Sequence, residues 1–280
     1  MSANLLALGA IALWASLAAL GVALSHVPPF LLTGLCLLIG SLIALPLSRF
    51  DWRQWRVPAP TLALGVYGLF GYHFLLFMAL RHAPPVQANL VNYLWPLGIV
   101  VMAPLFLPGM TLSRRHVLAA LIGFAGAALA ILSRGGDGET AVWSWGYLLA
   151  LAAAFMWSSY SLLTRRVAAF PTAAIGSFAL VSGALSLLCH ALLEPAAVLS
   201  VQDWLLIGLL GLGPLGGAFF LWDAALKRGD ARQIGVLSFI TPLLSTVTLL
   251  AVQGERPSVS VGVAAVLIIG AAVVATRRSQ

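Results

Sequence analysis

The chain has 280 residues, of which 61% are hydrophobic and 8% are charged, and its mean hydropathy is +1.02. Soluble globular proteins carry about 25% charged residues, so this composition excludes a water-soluble domain and indicates a membrane protein. The formal net charge of +7 is spread over short loops without a long basic run, which argues against nucleic acid as a partner.

Ten apolar stretches of membrane-spanning length follow one another along the chain. A helix needs about 20 predominantly apolar residues to cross a bilayer, and charge, proline or glycine bounds each stretch. The predicted spans are 3–24, 30–48, 59–80, 86–106, 115–133, 144–164, 172–193, 203–226, 233–252 and 259–276. This pattern predicts an all-α polytopic membrane protein with ten transmembrane helices.

Successive loops between the spans lie on alternate sides of the membrane. The basic residues are divided unequally between those two sides. Twelve fall on one side, namely Arg49, Arg53, Arg56, Arg114, Arg115, Arg165, Arg166, Lys227, Arg228, Arg232, Arg277 and Arg278. The other side holds Arg81, Arg134 and Arg256. Because positive residues accumulate in cytoplasmic loops, both termini are predicted to be cytoplasmic.

A long internal repeat divides the chain into two halves. Residues 71–97 recur without a gap at 217–243. Each half contains five predicted spans, and an odd number of spans forces the second copy into the membrane upside down. The predicted organisation is two inverted five-helix repeats, 1–133 and 144–280, joined by a hydrophilic linker at 134–143 and arranged around a central cavity. Inverted repeats are typical of transporters.

The tryptophans fall into two groups. Tryptophan normally collects at membrane interfaces, and six lie near predicted span ends or in loops, namely Trp52, Trp55, Trp143, Trp145, Trp204 and Trp222. Trp14, Trp95 and Trp157 instead lie near the middle of spans 1, 4 and 6. An indole N–H at that depth needs a partner or a water-filled cavity. Each alone is consistent with a packed core residue, but the three together favour a cavity lining.

Span 4 is the most polar of the ten, and within eight residues it contains Asn89, Asn92, Tyr93, Trp95 and Pro96. Proline lacks a backbone N–H, so Pro96 frees the carbonyl of Asn92. Pro242 occupies the equivalent position in the second repeat. Interrupted backbone at membrane depth is tolerated where it lines a cavity or is buried in protein. The pair of kinks therefore predicts hinges at the two prolines, with simple packing kinks as the alternative.

Two other spans add polar and aromatic candidates. Span 6 carries Trp157 and Ser161 on one helical face, and span 3 carries Tyr72 and His73. A buried histidine that is satisfied by its surroundings is the alternative interpretation of His73.

The absence of charge in the spans limits the solute. No Lys, Arg, Asp or Glu lies near the midplane of a predicted span, and such residues usually mark ion pathways and proton relays. A neutral aromatic cavity suits a neutral or zwitterionic solute whose ring stacks on tryptophan. Asp223 and Lys227, four residues apart near a span end, are predicted to form an interfacial ion pair.

An intramembrane enzyme is a competing class of protein. Ser177 and His190 on span 7 supply a nucleophile and a base. However, 13 positions along one helix separate them by roughly 20 Å, and the sequence contains no zinc-ligand cluster. We therefore expect no enzymatic activity, no metal and no cofactor.

Several segments resemble a known transporter family. Ala12-Leu13-Trp14, Trp157-Ser158-Ser159-Tyr160-Ser161 and Thr241-Pro242 with Gly254-Glu255 resemble the ten-helix, EamA-type members of the drug/metabolite transporter superfamily. Asn92-Tyr93-Leu94-Trp95-Pro96 resembles more closely the YddG-like exporters of aromatic amino acids and paraquat. The resemblance implies a ten-helix basket in the bacterial inner membrane that works by alternating access. It also implies that Tyr93, Trp95, Pro96 and Trp157 line the substrate path, together with Tyr72.

The function predicted from residues and resemblance is export of aromatic and other hydrophobic amino acids, with amphipathic cations as further substrates. The alternative is a drug/metabolite exporter of the same superfamily with a different neutral solute. The expected partners are small-molecule amino acids and the lipid bilayer, and the expected state is a monomer. The predicted substrate-binding residues are Trp95, Tyr93, Trp157, Asn92, Pro96, Tyr72, His73, Asn89, Ser161 and Trp14, and the predicted hinges are Pro96 and Pro242.

Overall fold

The computed structural model describes residues 1–132, 144–254 and 256–276 of the chain. Over those residues the protein is helical and contains no β-strand. The predicted linker at 134–143, with Arg134 and Trp143, lies outside the described residues. So do Glu255, Arg277 and Arg278.

Ten apolar helices follow the predicted spans over the described part of the chain. Nine are long and apolar enough to cross a membrane, and the last is a further apolar helix. They are α1 (Ala3–Ala23), α2 (Pro29–Leu47), α3 (Ala59–His82), α4 (Pro85–Phe106), α5 (Arg114–Leu132), α6 (Gly146–Leu163), α7 (Thr172–Leu193), α8 (Val201–Arg228), α9 (Ala231–Val252) and α10 (Val259–Thr276). The prediction of an all-α polytopic membrane protein is confirmed.

Local sequence signals explain where several helices begin. Pro29 and Pro85 occupy the first turns of α2 and α4, where a missing N–H costs no helical hydrogen bond. At the start of α8, the Ser200 hydroxyl accepts from the backbone N–H of Asp203, and the Asp203 carboxylate accepts from the backbone N–H of Ser200. This capping box satisfies two otherwise unpaired donors.

The two halves share a widened helical turn. A π-helical turn interrupts α3 at Tyr67–Gly71 and α8 at Gly213–Gly217. An offset of 146 positions relates the two turns, and the same offset relates 71–97 to 217–243. Such turns are rare and concentrate at functional sites.

The halves also share a helix break. The first part of α4 ends at Asn92 and the second begins at Trp95. In α9 the first part ends at Leu237 and the second begins at Ile240. Pro96 and Pro242 each lie in the first turn after a break, and their assignment as hinges stays a prediction.

Equivalent helices of the two halves make equivalent contacts, each with helices of the other half. Helix α1 packs against α8 and α9, and its counterpart α6 packs in the same way against α3 and α4. Helices α2 and α7 pack together, as do α5 and α10. Short loops connect the consecutive helices within each half, and an odd number of helices per half is what places equivalent helices in opposite directions. The arrangement has the pseudo-twofold relation expected of inverted repeats.

A contact between two glycines determines how closely α2 and α8 pack together. A Cβ added at Gly216 would lie 2.7 Å from the Cα of Gly40, and it would also collide with the carbonyl oxygen of Gly211. Both neighbours are backbone atoms that no rotamer change can move. On the same helix, a Cβ added at Gly208 meets nothing within 4 Å.

We expect Gly216→Ala to destabilise the protein by about 1–3 kcal/mol, the typical cost of overpacking. Gly208→Ala is the matched control and should be neutral, because its methyl group has open space. Thermal unfolding in detergent, followed by size-exclusion chromatography, measures both. Equal transition temperatures for the two variants would contradict the proposed contact.

Candidate functional site

A cavity of about 720 Å³ lies between helices of both halves. Leu24, Ser25, Val27, Pro29 and Pro85 line its mouth, so the cavity opens on the face that carries the α1–α2 and α3–α4 loops. We call this the open face, and the opposite side of the bundle the closed face. At its inner end the cavity is bounded by residues from the middle of the helices.

Most of the predicted binding residues share this cavity. The eight that line it are Trp14, Tyr72, His73, Asn89, Asn92, Tyr93, Trp95 and Trp157, and the predicted hinge Pro242 lines it as well. Pro96 and Ser161 are not among its lining residues. Pro96 is buried in the first turn of the second part of α4, and the Ser161 hydroxyl accepts a hydrogen bond from Trp222 Nε1 at 3.1 Å. Their placement argues for supporting rather than direct roles.

A cluster of four indole rings lies at the inner end of the cavity, and three of them, Trp14, Trp95 and Trp157, line it. The Trp14 ring centroid lies 5.8 Å from that of Trp157, 6.3 Å from that of Trp95 and 5.2 Å from that of Trp222. Trp95 and Trp157 meet edge to face at 6.4 Å. Edge-to-face and offset contacts at these distances are the favoured aromatic geometries. We call Trp14, Trp95, Trp157 and Trp222 the tryptophan cluster.

Trp222 is the member of the tryptophan cluster that sequence reasoning missed. Its predicted position at the membrane interface is wrong, because its side chain is only 1% exposed and packs within the cluster. Its ring centroid lies 5.2 Å from that of Trp14 and 5.6 Å from that of Trp95, which both come from the middle of their spans, so Trp222 belongs to the interior of the bundle. The repeat could have indicated this position, because Trp222 aligns with Leu76, which lines the cavity.

Hydrogen bonds hold the broken helix α4 against its neighbours. Ser158 Oγ on α6 donates to the Trp95 carbonyl oxygen at 2.8 Å. Asn92 Nδ2 donates to Tyr72 Oη on α3 at 3.1 Å. A Cβ added at Gly98 would lie 2.5 Å from Ser158 Oγ, so the glycine permits this approach. These contacts fix the cavity side of the break.

Two polar atoms on the wall lack a partner within the described protein. Asn92 Oδ1 and Thr241 Oγ1 are buried and make no hydrogen bond, yet both residues line the cavity. An unsatisfied buried polar group costs about 1–3 kcal/mol. A bound solute or water in the cavity would remove that cost. Asn92 and Thr241 occupy opposite halves of the bundle, so a solute could contact both.

The cavity wall carries no full charge among the described residues. None of its described lining residues is Lys, Arg, Asp or Glu, and His73 is the one histidine among them. His73 Nδ1 lies within hydrogen-bond distance of the Leu69 carbonyl oxygen. A carbonyl only accepts, so Nδ1 is the donor and the orientation of the ring is fixed.

Ionic and polar contacts tie the closed face together. Arg165 Nη1 donates to the Gly229 carbonyl oxygen at 3.2 Å, and Arg232 Nη1 donates to the Thr111 carbonyl oxygen at 2.6 Å. These bonds connect the ends of α6 and α9 to neighbouring loops. The predicted ion pair between Asp223 and Lys227 is confirmed, with 2.7 Å between carboxylate and ammonium. The Asp223 side chain is, however, 2% exposed and thus buried rather than solvated.

The fold and the cavity together define a class of protein. Inverted helical repeats with interrupted helices around a central site, open to one face and closed to the other, are typical of secondary transporters. Comparisons with known proteins identify the family. The EamA-like transporter family matches the chain twice, over residues 1–132 and 144–277. The chain belongs to this family.

Curated relatives and a solved structure agree with that assignment. The chain is 46% identical over 279 residues to the aromatic amino acid exporter YddG of Ancylobacter novellus, covering 98% of this chain and 97% of the relative. It is 27% identical over 260 residues to the YddG exporter of Escherichia coli, covering 87% and 86% of the two chains. A solved crystal structure superposes with a TM-score of 0.91 at 44% identity and covers 98% of this chain and 95% of the other.

The placement of the predicted residues can be tested by cysteine labelling. In a background where Cys36 and Cys189 are replaced, Asn89→Cys should react with a membrane-impermeant thiol reagent added at the open face. Ser161→Cys should stay unmodified, because Ser161 is buried behind the cluster. Mass spectrometry measures the modified fraction. Equal labelling of the two variants would contradict the cavity described above.

Proposed function

We propose that the protein exports aromatic and other hydrophobic amino acids across the bacterial inner membrane by alternating access. The observation that carries the proposal is the uncharged cavity whose inner end is built from Trp14, Trp95 and Trp157. The similarity to two aromatic amino acid exporters supports the same substrate class.

The chemistry of the cavity fits such a substrate. An aromatic side chain can meet the indole rings edge to face or offset, which contributes about 0.5–1.5 kcal/mol beyond burial. The free oxygens of Asn92 and Thr241 can accept from an ammonium group. A dianionic solute would instead require Arg or Lys on the wall, and the described wall has neither.

The predicted roles of individual residues follow from their placement. We assign substrate contact to Trp14, Tyr72, His73, Asn89, Asn92, Tyr93, Trp95 and Trp157. Ser161 is assigned a supporting role through its bond with Trp222. Pro96 and Pro242 are assigned as hinges, because each stands directly after a helix break.

The domain organisation and orientation are part of the proposal. The repeats are 1–133 and 144–280, the linker is 134–143, the protein acts as a monomer, and both termini are cytoplasmic. The closed face carries Arg165, Lys227, Arg228 and Arg232, and cytoplasmic loops are rich in such residues. On this orientation the cavity of the present structure opens away from the cytoplasm.

The enzyme alternative finds no support in the geometry of α7. Ser177 Oγ donates to the Ala174 carbonyl oxygen, and His190 Nδ1 contacts Glu194. The proposed function is therefore transport without catalysis. Export of a different neutral solute by the same fold is the second candidate, and the substrate panel below separates the two.

The substrate assignment is tested in reconstituted liposomes. We expect phenylalanine and tryptophan to move faster than glycine or an unrelated sugar, with movement down their own gradients when no proton gradient is imposed. Equal rates across the panel would exclude the leading proposal. A faster rate for a non-amino-acid solute would favour the second candidate.

We expect Trp157→Ala to raise the half-saturating concentration of phenylalanine about three- to tenfold, because a stacking surface is lost. Trp204→Ala is the matched control, since Trp204 is 49% exposed and lies outside the cavity. Concentration-dependent transport measures both variants at equal reconstituted amounts. Unchanged saturation in Trp157→Ala would remove Trp157 from the site.

The hinge assignment gives a separate expectation. Pro96→Ala restores a backbone donor beside the break, so it should lower the maximal transport rate while leaving half-saturation unchanged. Pro104→Ala is the control, because Pro104 lies inside the second part of α4 and away from the break. Initial rates over a concentration series separate the two parameters. A fall in affinity at constant maximal rate would argue for direct contact instead.

A further inference from the structure

Among the described residues, the buried carboxylate of Asp223 is the charged group that lies next to the tryptophan cluster and that the cavity does not use. It follows Trp222 on α8, and its side chain is 2% exposed. Oδ2 accepts hydrogen bonds from Lys227 Nζ and Thr172 Oγ1, each at 2.7 Å. Oδ1 is buried and has no hydrogen-bond partner among the described residues. Ionisable groups at such positions in membrane proteins are usually functional.

The Lys227 ammonium completes the pair from the next turn of α8. Its Nζ donates to the Phe170 carbonyl oxygen at 2.9 Å and lies 3.7 Å from the centre of the Phe170 ring. The two charges thus bridge α8 and the segment that precedes α7. Both lie on the closed face, below the tryptophan cluster.

A corresponding pair at the open face is built differently. Glu194 binds Arg81, the repeat counterpart of Lys227, at 2.9 Å. Its two oxygens also accept from the backbone N–H groups of Phe30 and Leu31. Both oxygens of Glu194 are therefore satisfied, as expected of a structural pair. Asp223 differs because one of its oxygens is available.

The repeat indicates what a cavity on the closed face would contain. Leu76 and Phe77 line the open cavity, and their counterparts at the offset of 146 positions are Trp222 and Asp223. When inverted repeats exchange conformations, a residue of one half takes the place of its counterpart in the other. A cavity opened at the closed face is consequently lined by Trp222 and Asp223.

We propose that Asp223 and Lys227 form a binding site for the zwitterionic head of an amino acid on the closed face. The Asp223 carboxylate receives the substrate ammonium, Lys227 receives the substrate carboxylate, and the side chain lies toward the tryptophan cluster. This inference rests on the proposed function and names the side from which the substrate loads. One internal ion pair is exchanged for two, so no net charge is buried.

The difference in charge between the two faces predicts a difference in how tightly each binds the substrate. The closed face, cytoplasmic in the proposed orientation, offers a full charge to each end of the zwitterion. The cavity at the open face offers only neutral groups on its described wall. Charge-assisted hydrogen bonds are roughly twice as strong as neutral ones, so the substrate is held more tightly where it loads and more weakly where it leaves.

The experiment measures half-saturation of phenylalanine transport separately from each face, in everted and in right-side-out membrane vesicles. Asp223→Asn and Lys227→Gln should each raise the half-saturating concentration from the closed face about tenfold or more. From the open face the change should stay within about threefold. Arg81→Gln, which removes the counterpart cation of the satisfied pair, should alter neither value.

Two outcomes overturn the inference. Equal changes from both faces would show that the pair only supports the fold, and no change from the closed face would show that the substrate does not contact it. If wild-type vesicles transport no phenylalanine at all, the proposed function fails instead, which is a distinguishable result.

A second measurement uses the wild-type protein and covers the case in which a variant does not fold. Phenethylamine lacks the carboxylate of phenylalanine, and 3-phenylpropanoate lacks the ammonium group. Each should inhibit phenylalanine transport from the closed face at least about tenfold more weakly than unlabelled phenylalanine does. Equal inhibition by all three compounds from that face would overturn the site.

Discussion

The structure depends on one constraint, which is that backbone N–H and C=O groups inside a bilayer must find partners within the protein. An interrupted helix is therefore tolerated only where protein or a cavity takes over the lost bonds. Both breaks, at Asn92–Trp95 and at Leu237–Ile240, meet this condition beside the central cavity. The Ser158 hydroxyl, which donates to the Trp95 carbonyl, holds α6 against the start of the second part of α4, directly after the break.

The tryptophan cluster separates two chemically different regions of the interior. On one side lies a neutral cavity with free amide and hydroxyl oxygens. On the other side lie a buried carboxylate and its lysine. The rings themselves come from α1, α4, α6 and α8, so both halves contribute to the barrier. A movement of either half must therefore repack this cluster, which makes it the natural point of coupling between the two faces.

Much of the fold could be predicted because hydrophobicity and proline act locally. Span boundaries agree with the helices to within two residues, and Pro96 and Pro242 identified the helix breaks. Eight of the ten predicted binding residues line one cavity. Ser161 does not line the cavity. Helical periodicity predicts on which face of a helix a residue lies but not which neighbour covers it, and here Trp222 covers Ser161. The π-helical turns were not predicted, since no residue type demands an extra residue in a turn.

Those turns carry information about how the chain arose. A π-helical turn holds one more residue than the α-helical turn it replaces, and here it occupies the same position in α3 and α8. The gapless repeat begins at the last residue of each turn, so the two turns stand in the same register relative to it. The simplest history places the insertion in the single ancestral unit, before its gene was duplicated. The widened turn would then be older than the two-repeat protein, whereas the difference between Leu76-Phe77 of α3 and Trp222-Asp223 of α8 would have arisen after the duplication.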